Sequence, residues 1–194
     1  MGDGVSAAWR RMSGADGLVL ASPVYVGDVS GTMKTLIDRL AYVCHRPALF
    51  RTSVYVITTT GGSPARHTIR TMQGAVLSWG GLLVGTAGFT MGALMRRADV
   101  PARFGASAAK AARTLFTAAN PQRLPRPGFI NFMMFRIQQG AWARARPGSV
   151  DARYWADQGW LSPGATWYRP HRSGPIAVGL GRAVGAVVKK IFAG

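Results

Sequence analysis

Three short, uninterrupted apolar runs mark the first half of the chain: GLVLAS at 17–22, SVYVI at 53–57, and LLV at 82–84, which ends at Gly85. Runs of this kind suit strands buried on both faces, as in a parallel sheet covered by helices. Between the first two, Met33, Leu36, Ile37, Leu40 and Val43 recur at spacings of three and four, which predicts a helix with Ser30 as its N-cap. Between the second and third, residues 65–79 predict another, with Ile69, Met72, Val76 and Trp79 as its buried stripe. Strand, helix, strand, helix, strand at this spacing implies right-handed crossovers and an open α/β sheet.

The second half is patterned differently. The alanine-rich basic segment 100–119 predicts a helix, and NPQRLPRPG at 120–128 a linker. Residues 129–145 begin with Phe129, Phe132 and Phe135 and become basic, as a helix on the outside of a core does. The segment 151–168 is rich in aromatic and turn residues. Residues 175–192 predict an amphipathic helix with Ile176, Leu180, Val184, Val187, Val188 and Ile191 nearly aligned. The expected organisation is thus a sheet-containing unit, 1–119, and a helical, aromatic-rich extension, 120–194, packed on it or on a second subunit. The uncharged stretch Gly74–Met95 is long enough to span a bilayer, but Gly80-Gly81 divides it into a helix end and a short strand.

Composition sharpens the picture in two respects. The formal charge is +17, with twenty arginines among the 24 basic residues and no glutamate, so the surface attracts anions. Cys44 is the single cysteine, which leaves no internal disulfide and no thiolate cluster for a metal; this fits a reducing, cytoplasmic setting. The start, MGDGVSAAWRRMSGADG, has no apolar core of a signal peptide.

Ligands of open α/β sheets sit beyond the carboxyl ends of the strands. Two segments hold that position: SPVYVGD at 22–28 and TTTGGSPARH at 58–67. The first offers the flat ring of Tyr25 and a proline that fixes the backbone. The second offers hydroxyls, two glycines that let N–H groups approach a ligand, and Arg66. Neighbouring loops of this kind suit a flat heteroaromatic, one stacking and one hydrogen-bonding its polar edge. The alternative is a pair of tight turns with Tyr25 half-buried.

The stretch ADGLVLASPVYVGDVSGTMKTLIDRL resembles a motif of the NADPH-dependent FMN reductase family, flavodoxin-like NAD(P)H:flavin oxidoreductases. TTTGGS at 58–63 sits where that family carries its second flavin loop, and DARYWADQGW with Tyr168 resembles the tail of its multimeric members. The resemblance covers roughly 15–168, with 92–150 matched in outline only. It implies a flavodoxin-like open parallel sheet, with three strands recognisable here and the N-terminal βαβ part, including the Ser/Thr-rich phosphate loop, missing. It further implies bound FMN, NADPH or NADH as hydride donor, a small-molecule electron acceptor and a homo-oligomer. Carried over residue by residue, Ser22, Pro23, Val24, Tyr25, Val26 and Gly27 line the flavin, Tyr25 against the ring system. Thr59, Thr60, Gly61, Gly62 and Ser63 hold its pyrimidine edge through N–H groups, favouring the reduced, anionic form. Arg66 or a neighbouring arginine attracts the NADPH phosphates. No protein nucleophile or metal is called for, because the cofactor carries the chemistry.

Other signals weigh less. GLGRAVG at 179–185 imitates a dinucleotide fingerprint but follows no strand and precedes no acidic residue, so glycines at a helix–helix contact are the better reading. The helix at 175–192 suits docking on its own domain or a second subunit better than peripheral contact with a membrane. His45, His67 and His171 lack metal-ligand spacing, and the Trp155, Trp160, Trp167 and Tyr168 group reads as packing. Two alternatives to a flavin enzyme are a non-catalytic remnant of the fold and a basic nucleic-acid-binding protein; the dispersed charges and the lack of a recognisable module speak against specific nucleic-acid binding.

Overall fold

The computed structural model describes residues 4–92, 96–146 and 148–191. Helix α1, Gly4–Ser13, leads into strand β1, Gly17–Tyr25, which turns tightly into the two-residue strand β2, Asp28–Val29. Helix α2, Gly31–Arg39, and a single 3-10 turn, Ala41–Cys44, lead to β3, Ser53–Thr60; helix α3, Arg66–Ser78, leads to β4, Leu82–Thr90. Helices α4, Val100–Ala118, α5, Phe129–Trp142, α6, Val150–Asp157, and α7, Pro175–Ile191, complete the chain. The sheet order is β2-β1-β3-β4, with β1, β3 and β4 parallel and β2 antiparallel. This is the open, mostly parallel α/β architecture expected, and it is consistent with a flavodoxin-like fold.

Alternation along the strands assigns the two faces. Leu20, Val54 and Val56 point to α3, where they are buried with Met72, Val76 and Trp79. The partly buried Met33, Leu36 and Ile37 of α2 pack against the same core. Ser30 caps α2 as expected, its hydroxyl accepting from the Met33 N–H. On the other face Gly17 lies against Leu115 and Ala119 at the end of α4, and the Ser53 hydroxyl donates to the Ala118 carbonyl.

A second buried cluster joins Leu82 to Phe132, Phe135, Trp155, Trp160, Trp167 and Tyr168, so the aromatic group is core packing. Three buried polar ends in this cluster find carbonyl partners: Trp160 Nε1 donates to the Tyr168 carbonyl, Trp155 Nε1 to that of His45, and the Tyr154 hydroxyl to that of Pro47. Gln138 donates to the Cys44 and Ser78 carbonyls, and Asn131 accepts from the Leu83 N–H. These bonds tie the second half of the chain to the end of α3 and the start of β4.

Several boundaries differ from expectation. Strand β4 runs through Gly85 to Thr90 because it stays paired with β3 as far as Thr60, and glycine is needed within it, since a Cβ at Gly85 would run into the Tyr55 ring. The helix predicted through Val43 ends at Arg39, with Leu40 and Val43 still buried in the turn that follows. The segment 151–168 opens with helix α6, capped by Ser149. GLGRAVG lies inside α7, with Gly181 against Phe132 of α5. Of the stripe expected on α7, the side chains of Val188 and Ile191 lie outside the described residues, as do residues 93–95 of the stretch Gly74–Met95. Among the described residues no helix is long and apolar enough to cross a membrane.

Candidate functional site

Ser22, Pro23, Val24 and Tyr25, expected in a loop, are the last four residues of β1. The ladder extends to them because β2 folds back on their outer side, pairing Val24 with Val29 and Tyr25 with Asp28, while β3 pairs up to Pro23 on the inner side. The loop proper is two residues, Val26 and Gly27, with φ of 50° and 84°. Positive φ at both central positions is the type I′ signature that matches strand twist in a tight hairpin. Glycine takes this conformation freely, whereas a β-branched residue is strained there. Val26 is nonetheless fully exposed, and Tyr25 beside it is 62% exposed. Among the described residues no packing explains two apolar side chains raised at the carboxyl rim of the sheet.

The base of the hairpin is rigid. Ser22 is buried; its hydroxyl accepts from the Ser30 N–H and donates to the Pro23 carbonyl, closing the turn against the start of α2. The Thr68 hydroxyl donates to the Gly27 carbonyl from the first turn of α3. Asp28 lies 3.4 Å from His67 Nε2. Partial desolvation works against ionisation of Asp28, but the Thr71 hydroxyl, the Val29 N–H and His67 together hold its carboxyl below the usual 3.8.

The second segment lies next door. Parallel register sets Ser22 beside Thr58 and Pro23 beside Thr59. Beyond β3 the chain turns over the buried Thr60, whose hydroxyl accepts from the Gly62 N–H at 3.2 Å and donates to the Ser63 carbonyl at 3.0 Å. Thr59, Gly61, Gly62 and Ser63 are exposed. A Cβ at Gly61 or Gly62 would meet nothing within 4 Å, and neither residue has positive φ. The chain's own geometry therefore does not require these glycines; bare backbone here leaves room for a ligand to approach. Helix α3 begins directly after this turn with no side-chain cap, so its first N–H groups add positive potential at the same rim. Arg66 stands exposed at that helix start.

The hairpin and the glycine turn thus form neighbouring walls at one end of the sheet, joined through Thr68–Gly27 and Asp28–His67. These two links and the strain at Val26 escaped sequence reasoning, since Val-Gly is not a usual hairpin dipeptide. Among the described residues no group of three or more His, Cys, Asp or Glu could hold a metal.

The open, mostly parallel sheet with these two exposed strand-end turns is consistent with the flavodoxin-like class of α/β fold. Residues 1–93 match the model of the NADPH-dependent FMN reductase family. The chain is also similar to an iron–sulfur flavoprotein of Methanocaldococcus jannaschii, 34% identical over 61 residues. That match spans 31% of this chain and 31% of the relative, so the alignment covers under a third of either protein.

Proposed function

We propose that this chain is the working part of an FMN-dependent NAD(P)H oxidoreductase, with residues 120–194 a helical extension that braces the sheet unit. The observation that carries the reading is the strained, exposed Tyr25-Val26-Gly27 hairpin standing beside the open Thr59–Ser63 turn. Strain held at an exposed turn marks positions whose geometry serves a ligand. The residues present fit the ring end of a flavin: an exposed aromatic face on one side, and on the other an exposed glycine turn with the uncapped start of α3 behind it.

Bound FMN would supply the hydride-accepting and electron-passing chemistry, taking hydride from NADPH or NADH and serving a small-molecule acceptor. The protein's part is orientation. Tyr25 would pack against the ring system, with backbone groups of Pro23, Val24, Val26 and Gly27 lining its edge. Thr59, Thr60, Gly61, Gly62 and Ser63 turn their backbone to the pyrimidine edge, with the Gly62 N–H already held by the Thr60 hydroxyl and the other N–H dipoles stabilising negative charge there without a cationic side chain. Ser22 acts beneath the site by fixing the hairpin through Ser30. Arg66 attracts the dinucleotide phosphates. The iron–sulfur part of the relative's name has no counterpart in the 194 residues, which hold one cysteine. The apolar side chains that α7 leaves exposed, Ile176, Leu180 and Val187, favour a homo-oligomer.

The test is FMN titration followed by quenching of flavin fluorescence. The parent chain is expected to bind FMN. Tyr25→Ala is expected to bind about 3- to 10-fold more weakly, the scale of one aromatic contact, with an unchanged melting temperature. Equal losses of binding and stability would reduce Tyr25 to a structural residue, and no FMN binding by the parent would remove the flavin reading.

A further inference from the structure

The opposite, amino end of the sheet carries a feature that flavin chemistry does not use. A cleft of about 580 Å³ opens against Leu82, Leu83 and Val84 at the start of β4. Four guanidinium groups line it: Arg113 from α4, Arg123 and Arg126 from the connection to α5, and Arg172 from the approach to α7. A second cleft, about 500 Å³, is lined by Arg51, just before β3, and by Arg169. Ala118 belongs to both walls, so the two clefts adjoin.

The charge balance there is lopsided. Among the described residues no carboxylate lines the first cleft, and Asp16 is the one acid in the second. Among the described residues none of the six arginines has an acidic partner within ion-pair distance. Arg169 Nε is buried without a hydrogen-bond partner. Burial, and then the charge of Arg51, hold its guanidinium below the ordinary arginine range. Like charges gathered in a concavity, one of them partly desolvated, are unfavourable alone and become favourable around an anion.

We infer that this double cleft binds a small polyphosphate anion, two or more linked phosphates of the pyrophosphate kind, free or as the phosphate end of a nucleotide. Planar guanidinium forks match phosphate oxygens bidentately, which lysine does not. A single phosphate carries at most about two charges near neutral pH and leaves most of the six arginines uncompensated. The volumes are those of small-ligand sites, which lie at about 300–1,000 Å³, and a concavity of that size does not follow a nucleic-acid backbone. The site stands at the other end of the strands from Tyr25 and Gly61, so it is independent of the flavin reading.

The experiment is calorimetric titration of the full chain with inorganic pyrophosphate at low salt. Binding in the micromolar range is expected, weakened about tenfold by each of Arg113→Gln, Arg126→Gln, Arg172→Gln and Arg169→Gln, the scale of one hydrogen bond to a charged group. A control carrying Arg10→Gln and Arg70→Gln, both exposed and outside the clefts, is expected to bind as the parent does. Thermal melts check folding, and where a glutamine variant melts early, the lysine variant at that position replaces it, with weakened binding still expected. Three outcomes overturn the proposal: no pyrophosphate binding below millimolar, an equal loss in the control, or displacement of pyrophosphate by duplex DNA with a steep salt dependence, which would make the clefts a nucleic-acid surface.

Discussion

Val26 concentrates the residue-scale argument. A β-branched side chain at φ 50° with no neighbour to hold it is strained by about 1–3 kcal/mol. Val26→Asn tolerates that φ and is expected to raise the melting temperature while weakening FMN retention; a rise without any effect on FMN would show that Val26 does not face the flavin. His171 ties stability to pH near neutrality. Burial holds its imidazole below the ordinary 6.5. Its Nδ1 accepts from the Ser173 N–H, and its Nε2 lies 2.8 Å from the Thr166 hydroxyl. The unfolded chain therefore takes up the proton first. This contribution is complete above pH 6.5 and is lost as pH falls from there through the folded-state value. Melting temperatures between pH 7.5 and 5.5 should fall, and His171→Asn, which keeps an acceptor but does not titrate, should flatten the profile.

At the scale of elements, α7 offers paired substitutions of opposite sign. A Cβ at Gly181 would stand 2.7 Å from the Phe132 Cβ, an atom fixed to the backbone of α5, whereas one at Gly179 would meet nothing. Gly179→Ala should stabilise by about 1 kcal/mol through helix propensity. Gly181→Ala should destabilise, since overpacking by about 1–3 kcal/mol exceeds that gain; thermal melts of the two variants check both signs. The apolar runs placed the starts of β1, β3 and β4 correctly, and the 3.6-residue period placed α3, because burial writes directly into side-chain choice. Strand ends were illegible: Pro23 and Gly85 read as breakers, and only their pairing with Thr59 and Tyr55 of β3, a tertiary fact, makes them strand residues. At the candidate site the ring and the glycines were visible, but the strain at Val26 and the Thr68–Gly27 bond depend on how the chain turns in space.

For the whole molecule, the outer side of β1 is the decisive surface. β2 covers only Val24 and Tyr25, so among the described residues no strand pairs with residues 17–23 on that side. Val19, in that stretch, is 49% exposed, and Phe116 of α4 is 84% exposed. An unpaired edge with apolar neighbours and no lysine on it invites pairing with another chain. The net charge of +17 opposes this by long-range repulsion, but repulsion between exposed charges is screened beyond about 8 Å at physiological salt. Association should therefore increase as salt rises, the reverse of an electrostatically driven contact. Val19→Lys places a charge on the edge without touching the hydrogen bonds to β3, and it should keep the protein dispersed at salt concentrations where the parent associates. Light scattering across a salt series on both proteins measures this. If the parent disperses further as salt rises, or if the variant associates as the parent does, the β1 edge is not what brings copies together, and the exposed stripe of α7 becomes the surface to mutate.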